Sequence, residues 1–335
     1  MLKRLLKGGV IYALSDIFSK LSPFILLPLF VSSLSLTSFG KLEFITVLST
    51  FFSFVIGWGS VQGLLRLYVD DKVKSVSSSF FIIVISTFVS LGIVFLWGAF
   101  SNVELVADAD DIYILYLCVA FGFFYGINNI AFTILRIEER LYEYAKYNLL
   151  SSIFQICIIS SLLLYFKLDF LSKMIGLVLS NFLLMFILYG KIISRVIVFS
   201  FSREYLYKTF NFFSPICGNN LLGWGKSSLD KVVVKVLLGD EALGLYSFTV
   251  QVCQMLKLGL ESFLKSLNVL IYNNSNFVSV IEEKRFYIIA LLQTISLGYF
   301  GLITALNSTG ILGEYSIPIA LFAMLMCSRV ILLTS

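Results

Sequence analysis

Asn211 to Val250 reads NFFSPICGNNLLGWGKSSLDKVVVKVLLGDEALGLYSFTV, and the reading of this stretch decides the fold. The part before Gly239 is apolar enough to cross a bilayer as a helix, yet it carries Lys226, Asp230 and Lys231 well inside it. Asn219, Gly223, Lys226 and Asp230 follow at steps of 4, 3 and 4, which places them on one helical face. Leu221, Leu222, Leu229, Val232 and Val233 fall largely elsewhere. The expectation is a membrane helix with one charged stripe. A charge at bilayer depth costs about 2.5–3.5 kcal/mol on insertion scales, so such residues face a bundle interior or a wet cavity and mark function.

The rest of the composition agrees. Of 335 residues, 59% are hydrophobic and 13% charged, and the mean hydropathy is +0.94. Soluble domains are nearer half apolar and a quarter charged, so too little polar surface exists here to coat a globule. Many separate apolar runs of about 20 residues predict an all-α polytopic membrane protein rather than a barrel. The net charge of +5 sits in short loops, where it sets topology; no nucleic-acid partner is expected. Histidine is absent, which removes His-based acid–base catalysis, Ser/His/Asp triads and His metal sites. Cys118, Cys157, Cys217, Cys253 and Cys327 lie in apolar runs without C-x-x-C spacing and read as small buried hydrophobes. No metal and no organic cofactor is expected. Gly225-Lys226-Ser227 looks like the end of a phosphate-binding loop, but the pattern G-x-x-x-x-G-K-[ST] needs glycine where the chain has Asn220.

About ten helices are predicted. The first, 8–36, follows a basic terminus and reads as a retained span, with Asp16 and Lys20 at i, i+4. The second, 40–67, has a small-residue stripe (Thr46, Thr50, Ser53, Gly57, Ser60) explained by close packing, and ends near Arg66. The third covers 78–100 and precedes an acidic loop, 101–111, that reads as solvated rather than calcium-binding. The fourth covers 112–135, with Gly122, Gly126, Asn129, Thr133 and Arg136 sharing a face. The fifth (147–166) and sixth (171–190) meet in a tight turn, and a basic link to Lys208 makes the best boundary. The chain thus divides into an N-terminal lobe, 1–208, and a C-terminal lobe, 209–335. The seventh helix is the opening stretch. The eighth, 242–272, carries Ser247, Gln251, Gln254, Lys257, Glu261 and Lys265 on one stripe. The ninth covers 286–306, and the tenth begins near Tyr315. Basic residues concentrate in alternate loops, which predicts both termini in the cytoplasm.

Leu34-Ser-Leu-Thr-Ser-Phe-Gly-Lys-Leu-Glu-Phe44 and Leu238-Gly-Asp-Glu-Ala-Leu-Gly-Leu-Tyr-Ser-Phe248 align at an offset of 204, matching Leu34/Leu238, Gly40/Gly244 and Phe44/Phe248. Six helices separate the copies, so both have the same membrane orientation, a habit of transporters built from repeats.

These stretches, with Gly9-Val-Ile-Tyr12 to Pro28, Gly63-Leu-Leu-Arg66-Leu-Tyr68, Phe213-Ser-Pro215, Trp224, Leu229-Asp-Lys-Val232, Tyr315 and Pro318, resemble bacterial polysaccharide exporters of the O-antigen flippase type. That family lies within the multidrug/oligosaccharidyl-lipid/polysaccharide superfamily. The resemblance implies a MATE-like fold: two six-helix lobes around a cavity lined by helices one, two, seven and eight. It implies export of undecaprenyl-diphosphate-linked oligosaccharide across the bacterial inner membrane, coupled to a proton or sodium gradient. Membrane lipid and other polysaccharide-assembly proteins are implied as partners. Family members have twelve or more helices, so the second lobe is expected to lack its last pair and the chain to be a fragment or a shortened form.

The candidate cavity residues are Asp16, Lys20, Arg66, Asn219, Lys226, Asp230, Lys231, Gln251, Gln254, Lys257 and Glu261. Lysines would meet the diphosphate; Asp16, Asp230 and Glu261 would keep the cavity near neutral and could bind a coupling cation. A transporter rather than an enzyme is expected. The rivals are a multidrug exporter of the same fold, a cell-wall lipid-precursor flippase, a membrane glycosyltransferase or polymerase (for which 101–111 is too short a catalytic loop), and a truncated inactive product.

Overall fold

The computed structural model describes residues 2–100, 111–193, 203–273, 294, 297–305, 307–309, 315–320 and 322–323. Among them the backbone is helical with short turns and no strands. Helices satisfy every backbone group within one segment, the requirement a bilayer core imposes. The elements are α1 (Leu2–Ser33), α2 (Leu36–Gly57), α3 (Ser60–Leu67), α4 (Lys72–Phe100), α5 (Asp111–Ile137), α6 (Leu141–Leu164), α7 (Leu171–Leu188) and α8 (Arg203–Asn273). A π-helical turn, Tyr189–Ile193, extends α7. Among the described residues, five segments are long and apolar enough to cross a membrane: Leu36–Leu67, Lys72–Ala99, Ile112–Ile137, Leu141–Leu164 and Leu171–Ile192. The acidic loop, most of the basic link and most of the ninth and tenth predicted helices lie outside the described residues.

Contacts divide the chain into two compact units, Met1–Leu34 with Lys41–Leu237, and Ser35–Gly40 with Leu238–Ser335.

In the first unit α1 packs on α6, α6 on α7, α7 on α5, and α5 on α3 and α4. Ile83, Ile130, Ile134 and Leu184 are fully buried in its core. On α4, Phe88, Ile93 and Phe95 remain more than half exposed, as a lipid-facing surface requires. The second predicted span is two helices, because Trp58 and Gly59 adopt positive φ (42° and 70°) between α2 and α3. α8 fills this break. The Phe213 ring occupies the space a side chain on Gly63 would need, Trp58 stacks on Phe210 at 5.4 Å, and Trp58 Nε1 donates to Ser214 Oγ at 3.3 Å. In the α2 stripe, Thr46, Thr50 and Ser53 donate to carbonyls of their own helix, and a side chain on Gly57 would meet nothing within 4 Å.

In the second unit Gly239 (φ 85°, ψ −176°) breaks α8 into two arms. Tyr315 packs edge-on against Phe39 and Phe248, at 5.7 and 5.2 Å between ring centres. Asn307 accepts from Ile317 N and donates to Ile317 O. Gly40 and Gly244 meet backbone to backbone: a side chain on Gly40 would strike the Asp240 carbonyl, and one on Gly244 the Leu36 carbonyl.

Candidate functional site

The first arm of α8 runs antiparallel to α2. Cys217 Sγ reaches Phe54 O, Trp224 Nε1 donates to Val47 O at 3.3 Å, and the Trp224 ring lies 4.9 Å from Phe51. Two turns farther, Lys231 Nζ is 2.7 Å from Glu43 Oε2. The other oxygen, Oε1, accepts from Lys173 Nζ of α7 at 3.0 Å. Glu43 is 2% exposed, and the two lysine side chains about 15%. One carboxylate thus ties α2, α7 and α8 together and leaves one positive charge over. Lys235 sits 4.1 Å from the centre of the Phe44 ring, and Lys41 5.6 Å from that of Phe170. The cluster holds four lysines and one glutamate within a short length of α2, α7 and α8. Contacts to rings and to a carboxylate hold these ammonium groups in place.

Of the sequence candidates, Lys231 belongs to this cluster. Asn219, Lys226 and Asp230 share an exposed face of the same arm, and Asp230 Oδ1 accepts from Lys231 N. Gly225–Ser227 is helical, so no phosphate-binding loop forms there. Lys20 and Arg66 are exposed on α1 and α3. Gln251 and Gln254 are half-buried in the second arm of α8. Asp16, Lys257 and Glu261 lie on α1 and α8, with side chains outside the described set. Glu43 and Lys173 were not among the candidates. The signal for Glu43 was an acid three residues inside a predicted span, and Lys173 stood two residues inside another.

A second network ties loops in the first unit. Tyr68 donates to Glu138 Oε1 at 2.9 Å, and Arg140 pairs with Glu143 at 2.6 Å and Glu138 at 3.4 Å. Hydrogen bonding to Glu143 raises the Arg140 pKa, and burial raises that of Tyr68.

The sequence profile of the family described as "Polysaccharide biosynthesis protein" matches residues 5–271. A Haemophilus influenzae protein of the Lsg locus is 21% identical over 273 residues, covering 79% of this chain and 65% of that protein. The chain therefore spans about two thirds of that relative's length. An outward-facing multidrug resistance MATE transporter of the MOP superfamily superposes with a TM-score of 0.59 at 16% identity, over 98% of this chain and 78% of that one. A MOP superfamily transporter from Pyrococcus furiosus, described as having a binding pocket of reversed polarity, gives 0.59 at 15% identity over 98% and 79%. The fold is MATE-like, and the protein is a multi-pass membrane protein.

Proposed function

The chain belongs to the polysaccharide biosynthesis protein family, and on that premise we propose that it exports a lipid-linked oligosaccharide. The substrate is an undecaprenyl-diphosphate-linked repeat unit of O-antigen or capsule, moved across the bacterial inner membrane by alternating access. Both termini lie in the cytoplasm, and a proton or sodium gradient supplies the driving force. It acts as a transporter, not as an enzyme, beside other polysaccharide-assembly proteins.

The observation that supports this reading most is the lysine-rich cluster at Glu43. A diphosphate must leave water to cross the bilayer, and it needs cations on its path. Lys173 and Lys231 already hold a carboxylate, and a phosphate oxygen is an acceptor of the same kind. Binding can therefore proceed by exchange, the diphosphate taking one of the two lysines while Glu43 keeps the other, so that the buried carboxylate stays paired. Exchange of that kind also loosens the tie between α2, α7 and α8, which couples binding to movement. A cationic drug, by contrast, meets like charge here, which disfavours the multidrug reading.

The test is surface glycan display in a strain lacking its own exporter. The wild-type chain is expected to restore display, and Lys231→Met, which leaves Glu43 paired with Lys173, to reduce it strongly at normal protein level. No restoration by the wild type, or normal display by Lys231→Met, counts against the proposal.

A further inference from the structure

Away from Glu43, the first unit holds a partly open polar cavity of about 270 Å³ between α1, α5, α6 and α7. Ser19, Tyr125, Asn128, Arg136, Gln155 and Asn181 supply its polar wall. Among its lining residues are no aspartate and no glutamate. Polar groups at this depth are costly, so they are normally paired within the protein. Two here are not. Asn128 is 2% exposed, yet its Oδ1 has no partner, and neither has Arg136 Nε.

The orientation of Asn128 is fixed by its surroundings. Its Nδ2 donates to the Asn181 carbonyl at 2.9 Å and to Asn181 Oδ1 at 3.2 Å. Asn181 Nδ2 in turn donates to Leu177 O at 2.8 Å. Rotating the Asn128 amide would set its oxygen against two oxygens, so Oδ1 must remain the group left over. The cavity lining therefore includes an unfilled acceptor, an unfilled donor on a cation whose guanidinium lies 5.8 Å from the centre of the Tyr144 ring, and the rings of Tyr125 and Phe132.

We propose that this cavity is a sugar subsite that takes one pyranose ring of the exported glycan. The proposal rests on the export reading above. A sugar hydroxyl donates to Asn128 Oδ1 while a neighbouring hydroxyl or ring oxygen accepts from Arg136 Nε. The apolar C–H face of the ring lies on the aromatic wall. A metal cation meets Arg136 and finds no carboxylate among the lining residues. A phosphate suits Arg136 but sets its oxygens against Asn128 Oδ1. The volume is just below the ~300 Å³ at which ligand pockets begin, so it fits a single ring rather than a chain of them. Asn181 lies eight residues from Lys173 along α7, about 12 Å of helix. Water is the competing occupant, since about nine molecules would fill the space.

Saturation-transfer NMR on the purified full chain in lipid nanodiscs tests this, with N-acetylglucosamine, galactose, rhamnose and glucuronic acid as probes. At least one sugar should receive saturation from the wild type. That signal should fall about tenfold in Arg136→Met and in Gln155→Leu, the loss expected when one buried polar contact to a ligand goes. Asn128→Leu should abolish it, but this variant also loses the bonds to Asn181, so the other two decide the matter if it fails to fold. Absence of saturation for all four sugars, meaning that the cavity holds water only, overturns the proposal. So does a signal unchanged in both Arg136→Met and Gln155→Leu. Glycan display separates the two readings. Display without sugar binding removes the subsite and keeps export; sugar binding without display does the reverse.

Discussion

Glu43 and Lys231 stand 188 residues apart in sequence and 2.7 Å apart in space. Lys173 completes the contact from a third helix. Because Glu43 is the shared partner of two cations, its loss leaves two like charges facing each other and is worse than that of either lysine. Removing one partner of a buried pair costs about 3–5 kcal/mol, since the other charge is left uncompensated. Glu43→Gln should therefore lower the thermal midpoint more than Lys173→Met or Lys231→Met, each of which leaves a neutral pair. Equal shifts in the three variants, measured in detergent melts, would falsify this ranking.

Tyr68 gives a prediction with a pH axis. Its hydroxyl donates to Glu138, and burial raises its pKa above the usual tyrosine value near 10. The folded chain then holds a proton that the unfolded chain has released, so stability falls as pH rises through that value. Tyr68→Phe removes the titration and costs about 1 kcal/mol at neutral pH through the lost hydrogen bond. Between about pH 8 and about pH 11 the wild type should lose more stability than Tyr68→Phe. Parallel curves would show that Tyr68 does not titrate as described.

These two cases show what was legible in the sequence. Apolar runs and loop charges carry the class and the spans, because hydrocarbon leaves a chain few choices. Lys231 was legible for the same reason. Its partner was not, because helical spacing reports which residues share a face and says nothing of a helix far away in sequence. Lys226 and Lys231 look alike in the string, and only docking against α2 sends Lys231 inward and leaves Lys226 outside. The break at Trp58–Gly59 was hidden too. It answers to Phe213, which packs against Gly63 from α8.

Lys226 and Asp230 now divide from Lys231 by environment. Lys226 is exposed, so Lys226→Ala should change stability by no more than about 0.5 kcal/mol. It should nevertheless reduce glycan display if the exposed face meets the diphosphate. Exchanging the two residues (Lys226→Asp with Asp230→Lys) should give a folded protein that still fails to display. Restored display in the exchange would show that the pair serves folding alone, and normal display from Lys226→Ala would remove the ligand role.

Orientation is open to direct labelling. The basic loop holding Lys72 is expected on the cytoplasmic side, and three candidate spans separate it from the turn at Lys167, which is expected on the other side. In a cysteine-free background, Lys167→Cys should react with an impermeant maleimide in whole cells with permeable outer membranes. Lys72→Cys should react only after the inner membrane is opened. The opposite pattern inverts the topology.

Gly40 and Gly244 are one residue type at one place in two copies of a repeat, and the copies touch at that place. Leu36 and Asp240, whose carbonyls take the contact, differ by the same offset of 204 as the glycines. Gly40→Ala and Gly244→Ala should lower protein level alike, and the double variant should cost less than the sum, because the two lesions open one gap. Additive loss would mean two independent contacts. Exchanging the copies maps this contact onto itself, so one steric rule governs both segments: whatever backbone approach Gly40 permits, Gly244 must permit as well.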